Sequence, residues 1–193
     1  MIRLKIVLLG DMAVGKTSYM LQLVNKKFFN YMDSTIGAAF STKLMEIDNK
    51  QVKIEFWDTA GQERYRSLIS MYYNNADAAL IFYDINRIDT LDSAIKLIDT
   101  LKKRGPINIQ YILIGNKYDM IDDSSISIEI VNNKLKQSDN ENVVHIYTSA
   151  KIDYNIEYSI ERLIKCIKLE YKEKNNQIDI KNIQKNSTNC CKY

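Results

Sequence analysis

Cysteine is scarce, with three residues in 193, and two of the three are adjacent at Cys190 and Cys191. Neighbouring cysteines cannot staple distant parts of a chain, so a disulfide framework is excluded. The third, Cys166, has no Cys or His partner at metal-ligand spacing and reads as packing. Long apolar runs are also missing. The stretch Ile6 to Leu9 is too short for a signal-peptide core or a membrane span, and a cytosolic location is expected. Charge of one sign is nowhere concentrated: 27 basic and 24 acidic residues are interspersed and leave a net charge of +3. That balance excludes the basic stripe of a nucleic-acid binder. The single histidine, His145, sits in an apolar strand run and reads as structural rather than as a base or metal ligand.

What is present suits one globular domain. Hydrophobic residues make up 46% and charged residues 26% of the chain, enough apolar material for a full core. Periodicity persists to about Tyr171, then dissolves into Asn, Lys, Gln and isolated Ile, so a domain over 1–171 and a flexible tail over 172–193 are expected. Leu4 to Leu9 is apolar on both faces and leads through a glycine-containing loop into a helical stretch from Lys16 to about Lys26. Ser41 to Ile47 and Val52 to Trp57 alternate apolar and polar residues around Asp48-Asn49-Lys50, as a hairpin does. Ala78 to Tyr83, Gln110 to Gly115 and Val143 to Tyr147 are continuous apolar runs, the mark of buried parallel strands. Helical spacing fills the gaps over Thr90 to Lys103, Ser125 to Lys136, and a face of Ile156, Ile160, Leu163, Ile164 and Ile167. The alternation predicts a doubly wound α/β sheet with ligands beyond the carboxyl ends of its strands.

Gly10-Asp11-Met12-Ala13-Val14-Gly15-Lys16-Thr17 matches G-x-x-x-x-G-K-[ST] between a predicted strand and a predicted helix. Its glycines let backbone N–H groups approach phosphates, Lys16 adds a full positive charge, and Thr17 offers a hydroxyl to Mg²⁺. A chance match in a chain this long has odds on the order of 1%. In Trp57-Asp58-Thr59-Ala60-Gly61-Gln62-Glu63 a strand ends in an acid, Asp58, which can reach a magnesium shell. Gly61 can bring its N–H to a terminal phosphate, and Gln62 can orient an attacking water. Asn116-Lys117-Tyr118-Asp119 follows the strand ending at Gly115. There the Asp119 carboxylate can accept from N1–H and the 2-amino group of guanine, donors that adenine lacks. Lys117 can lay its stem along the ring, and Ser149-Ala150-Lys151 after the last strand would close the base pocket. GTP or GDP with Mg²⁺ is thus the expected ligand.

From Lys5 to about Leu169 these residues resemble the small GTPases of the Ras superfamily, and within it the Rab family, most closely its early-endosomal group. The resemblance rests on Ser34-Thr35-Ile36-Gly37-Ala38-Ala39-Phe40, Trp57 through Arg64, Tyr65-Arg66-Ser67-Leu68, Tyr72-Tyr73, Phe82-Tyr83-Asp84-Ile85 and Cys190-Cys191. It implies a P-loop NTPase three-layer sandwich: a mostly parallel six-stranded sheet with one antiparallel edge strand and helices on both faces. It also implies slow GTP hydrolysis that resets a switch in vesicle traffic. By the same resemblance Thr35 reaches Mg²⁺ and the terminal phosphate, working with Lys16 and Gln62, while Ser18, Phe28 and Ser34 line the nucleotide site. Residues 59 to about 75 would form a second mobile loop, and Phe40, Trp57 and Tyr72 an aromatic surface read by effectors. The implied partners are effectors, an exchange factor, a GTPase-activating protein and a GDP-dissociation inhibitor. The chain would be a monomer held on the cytosolic face of endosomal membranes by lipids on Cys190 and Cys191, with a cytosolic pool.

Three departures stand out. Met12 occupies a loop position that is usually Gly or Ser in relatives, Asn74-Asn75 replaces a frequent Arg-Gly, and the first strand begins almost at Met1. Met12 leaves open a slow or inactive hydrolase acting as a GTP-loaded scaffold, which Gln62 opposes. A nucleotide kinase would share the phosphate loop, but Asn116 to Asp119 argues against it.

Overall fold

The computed structural model describes residues 2–47, 49–61 and 69–167. Six strands form one sheet in the order β2-β3-β1-β4-β5-β6. They are β1 (Ile2–Gly10), β2 (Ala38–Ile47), β3 (Lys50–Thr59), β4 (Ala78–Asp84), β5 (Gln110–Asn116) and β6 (Val144–Tyr147). Only the β2–β3 pair is antiparallel, running from Ala38 opposite Thr59 to Ile47 opposite Lys50; the other four pairings are parallel. The sheet is therefore the predicted one, with β2 as its antiparallel edge.

The two-residue period of a strand explains how the apolar runs divide between the faces. Leu4, Ile6 and Leu8 of β1, Ala78, Leu80 and Phe82 of β4, and Ile112 and Ile114 of β5 face one core with α1 (Lys16–Asn25) and α5 (Ile156–Cys166). Val7 and Leu9, Ala79, Ile81 and Tyr83, and Leu113 face the other. There they meet α3 (Ile88–Arg104) and α4 (Ile128–Gln137), together with Tyr73 of the short α2 (Ile69–Tyr73). Central strands covered on both sides need apolar residues at every position, and all seven residues of β4 are buried. The β2–β3 pair is covered on one side, which is why it alternates.

Several boundaries differ from the sequence expectation. The fourth helix starts at Ile128 rather than Ser125, because Asp122 Oδ1 accepts from the Ser124 N–H at 2.9 Å and its hydroxyl at 2.6 Å, winding a turn instead. Ser127 then caps the helix, its side chain accepting from Ile130 N–H at 3.4 Å. The third helix extends to Ile88–Arg104, and the last strand begins at Val144 because Val143 N–H donates to Asn140 in a turn. The five residues of α2 carry too little periodicity to have been expected. Asp48, Gln62 through Leu68, Cys190, Cys191 and the whole expected tail lie outside the described residues.

Candidate functional site

The carboxyl ends of β1, β3, β4, β5 and β6 lie on one edge of the sheet, and beyond them opens a cavity of about 410 Å³. Met12, Ala13, Gly15, Lys16, Thr17 and Ser18 line it from the first loop. Phe28, Ser34 and Thr35 line it from the connection before β2, Gly61 from the end of β3, and Asn116, Lys117, Asp119, Ala150 and Lys151 from the far side. Residues as far apart in sequence as Met12 and Lys151 thus line one cavity. Gly10, Asp11, Val14, Asp58 and Ser149 are absent from the lining and lie behind it.

Those five hold the lining in place. Gly10 and Asp11 present carbonyls to Lys16 Nζ at 2.8 and 2.9 Å, bending the lysine back over its own loop. Burial pushes the Lys16 ammonium down to a pKa of about 8, against the attraction of Asp58 and Asp11. The Val14 carbonyl accepts from Asn116 Nδ2 at 2.9 Å, tying the first loop to the end of β5. Gly15 has φ +93°, and a Cβ there would collide with the Asn116 amide, so only glycine allows this approach. Thr148 Oγ1 donates to Asn116 Oδ1 at 3.2 Å. Asn116 is therefore a buried brace between three loops.

A second constellation brings hydroxyls to an acid. Thr17 Oγ1 donates to Asp58 Oδ2 at 2.7 Å, Thr35 Oγ1 lies 3.3 Å from the same oxygen, and the two hydroxyls are 2.8 Å apart. Asp58 is fully buried at the end of β3, and burial raises its pKa, opposed by the Thr17 hydroxyl, Lys16 and the Thr35 hydroxyl. Its Oδ1 is buried with no hydrogen-bond partner among the described residues. Gly61 passes so close to the backbone of Asp11 and Met12 that a Cβ would strike it.

On the far side, Ser149 Oγ donates to Asp119 Oδ1 at 2.5 Å, and Lys151 Nζ lies 3.9 Å from Asp119 Oδ2. Lys117 adopts a left-handed φ of +71° and sends Nζ to 2.6 Å from Asp84 Oδ2. Asp84 was not among the sequence candidates, although, like Asp58, it is an acid at the end of a strand. Phe29, Asn30, Met32 and Asp33 also line the cavity from an aperiodic loop that gave no signal, and so does Met120, the neighbour of Asp119.

Phe40, Trp57 and Tyr72 stand together but away from the cavity, with ring centroids 5.3 Å apart for the first pair and 6.4 Å for the second. Phe40 is exposed, whereas Trp57 and Tyr72 are half-buried. Lys5 Nζ lies 5.1 Å from the Trp57 ring centroid. His145 is held by Tyr83, whose hydroxyl is 2.9 Å from its Nε2, and faces no metal cluster among the described residues.

A phosphate-type loop at the switch edge of a parallel sheet, facing a buried acid and a carboxylate-bearing base side, defines a nucleotide-binding α/β protein. The profile of the Ras family matches residues 5–169, and the chain belongs to that family. It is similar to the GTP-binding protein ypt5 of Schizosaccharomyces pombe, 42% identical over 169 residues, 87% of this chain and 79% of that protein. It is also similar to Ras-related protein Rab5 of Nicotiana tabacum, 43% identical over 152 residues, 79% of this chain and 74% of that protein. Ras-related protein Rab-5A of Dictyostelium discoideum is 42% identical over 153 residues, with the same coverage of 79% and 74%. The chain is accordingly a Rab-type GTP-binding switch that hydrolyses GTP.

Proposed function

We propose that this switch acts in endosomal vesicle traffic, holding GDP or GTP in the cavity at the sheet's carboxyl edge. The observation that carries the site assignment is the joining of Thr17, Thr35 and Asp58 around one point beside Lys16. Two hydroxyls and one carboxylate, with Asp58 Oδ1 buried and lacking a partner among the described residues, form a hard oxygen donor set. Mg²⁺ prefers such donors and keeps its remaining positions for phosphate and water. When bound, it would neutralise charge on the phosphate oxygens.

The chain's own groups supply the rest. N–H groups of residues 10–18 and the Lys16 ammonium face the phosphates, and a phosphate replaces the carbonyls that Lys16 now contacts. Gln62 orients the water that attacks the terminal phosphate, and Thr35 and Gly61 sense that phosphate from two loops. Its loss releases both loops, so partner binding follows hydrolysis. Phe40, Trp57 and Tyr72 form the surface that effectors read. An exchange factor, a GTPase-activating protein and a GDP-dissociation inhibitor would drive the cycle, and Cys190 and Cys191 would anchor the chain. On the base side, Asp119 accepts from guanine N1–H and the 2-amino group, with Phe28 and Lys117 along the ring.

Asp119→Asn tests the assignment. An amide can donate to the C2 oxygen of xanthine, so the variant should lose GTP affinity and gain affinity for xanthosine triphosphate. Equal GTP affinity in variant and wild type, by competition against a fluorescent nucleotide, would show the base site to be wrongly assigned.

A further inference from the structure

Beside the base-side residues lies a group of tyrosines that contacts with nucleotide do not require. Tyr118 sits between Lys117 and Asp119 in the loop after β5, and Tyr154 closes the loop after β6. Their rings stack with centroids 5.1 Å apart and planes inclined by 14°. Tyr147, the last residue of β6, brings a third ring to 5.4 Å from Tyr118.

The backbone aims these rings. Ser149 and Tyr154 exchange both N–H···O bonds, at 3.1 and 3.0 Å, so residues 149–154 form a closed loop that carries Ala150 and Lys151. Asn155, at a left-handed φ of +55°, turns the chain out of that loop and donates from Nδ2 to the Tyr147 carbonyl at 3.0 Å. On the other loop, Tyr118 N–H donates to the Thr148 carbonyl at 3.0 Å. The loop after β5 is closed by Met120 N–H donating to the Lys117 carbonyl at 2.8 Å, the Tyr118–Thr148 bond ties the two loops through backbone, and the ring stack is a second link between them, through side chains.

We propose that the Tyr118–Tyr154 stack is a positioning clamp that holds Asp119 and the 149–151 segment as one unit on the guanine base and thereby slows nucleotide release. The inference rests on the assignment of Asp119 as base acceptor. The Ser149 hydroxyl also links the two loops, but it occupies an acceptor position on Asp119, the group that must face the base. A stack of rings couples the loops and leaves that carboxylate free. Tyr154 is 40% exposed and stands at the rim, whereas Tyr118 is half-buried and packs against the second core, so the stack fastens the exposed loop to a residue held by the core. Stacked pairs of this kind correspond to roughly two- to tenfold in an equilibrium or rate.

The test is release of fluorescent GDP from the full-length chain, chased with excess unlabelled GDP. Tyr154→Ala should speed release by roughly two- to tenfold, Tyr118→Ala by at least as much because it also loses the Tyr147 contact, and the double variant should add little to Tyr118→Ala, because the stack is already gone. Tyr154→Phe keeps the ring and should restore slow release; Tyr154→Leu keeps apolar cover without a ring and should not. The preference for GDP over inosine diphosphate, which lacks the 2-amino group, should narrow in the alanine variants while the single-turnover hydrolysis step is unchanged. General loosening of the fold would move the hydrolysis step and leave base preference alone. Wild-type release in Tyr154→Ala, additive single effects, or failure of Tyr154→Phe to rescue would each overturn the clamp. Asp119→Asn run in parallel separates the two ideas. If it turns preference toward xanthosine diphosphate while Tyr154→Ala is silent, the clamp alone fails; if it does not, the base assignment fails.

Discussion

Met12 departs from the Gly or Ser that the family resemblance leads one to expect, and its surroundings say what such a side chain would do there. Its side chain lines the cavity and is 48% exposed, while its backbone nitrogen lies against Gly61. An unbranched thioether can swing aside for a phosphate, so binding and unassisted hydrolysis tolerate it. An activating protein that inserts an arginine beside the terminal phosphate must fit into the same space. Displacement of a reacting group by about 1 Å costs around a hundredfold in rate. Met12→Gly and Met12→Ser should therefore raise the activator-stimulated rate by tenfold or more, up to about a hundredfold, with little change in the unstimulated rate. Single-turnover hydrolysis of the three proteins against one activator is the measurement, and equal stimulated rates would refute the crowding argument.

At the scale of elements, β4 and β6 meet β5 from either side, and across it His145 of β6 pairs with Tyr83 of β4. The rings lie 5.7 Å apart and nearly parallel, and Tyr147 meets the imidazole edge-on at 4.5 Å. Burial holds the His145 pKa down to about 4, whereas in the unfolded chain it returns to 6.5. Between those values the unfolded state binds more protons, so stability present above pH 6.5 is lost as the pH falls toward 4. By pH 5 the loss is about 2 kcal/mol. His145→Gln keeps a polar partner for the Tyr83 hydroxyl without a titrating ring, so its urea midpoint should fall less than that of wild type between pH 7.5 and 5. Parallel slopes would show that His145 titrates alike in the folded and unfolded chain, so that burial does not hold its pKa down.

The same elements show what a sequence can disclose. β4 and β5 were legible because strands covered on both faces leave no room for polar positions. The phosphate loop was legible because glycine and lysine spacing is dictated by chemistry. The start of α4 was not, since Asp122 diverts Ser124 into a local turn that periodicity cannot weigh. The cavity wall from Phe29 to Asp33 was not, because a loop positioned from outside has no period at all. Asn75 lies between these cases. It takes a left-handed φ of +59° at a position where the family resemblance leads one to expect glycine, and asparagine is among the few residues that tolerate it. The turn survives although the residue differs.

For the whole molecule the open question is how a domain without any membrane-crossing helix among its described residues stays at a membrane. The exposed aromatic surface around Phe40 points to proteins, and the mixed surface charge gives no polybasic attraction to lipid. Covalent lipid on Cys190 and Cys191, as proposed above, would answer the question by arithmetic. One chain anchors only marginally, whereas two hold a protein stably. Mass spectrometry of the membrane-bound protein from cells should find geranylgeranyl groups on both cysteines. The Cys190→Ser, Cys191→Ser double variant should move to the soluble fraction, and each single variant should partition between the two, as one chain alone dictates. The double variant must still bind GDP with wild-type affinity, because it changes no residue that lines the cavity. An unmodified pair of cysteines in membrane-bound protein would mean that a protein partner, and not lipid, holds the switch in place.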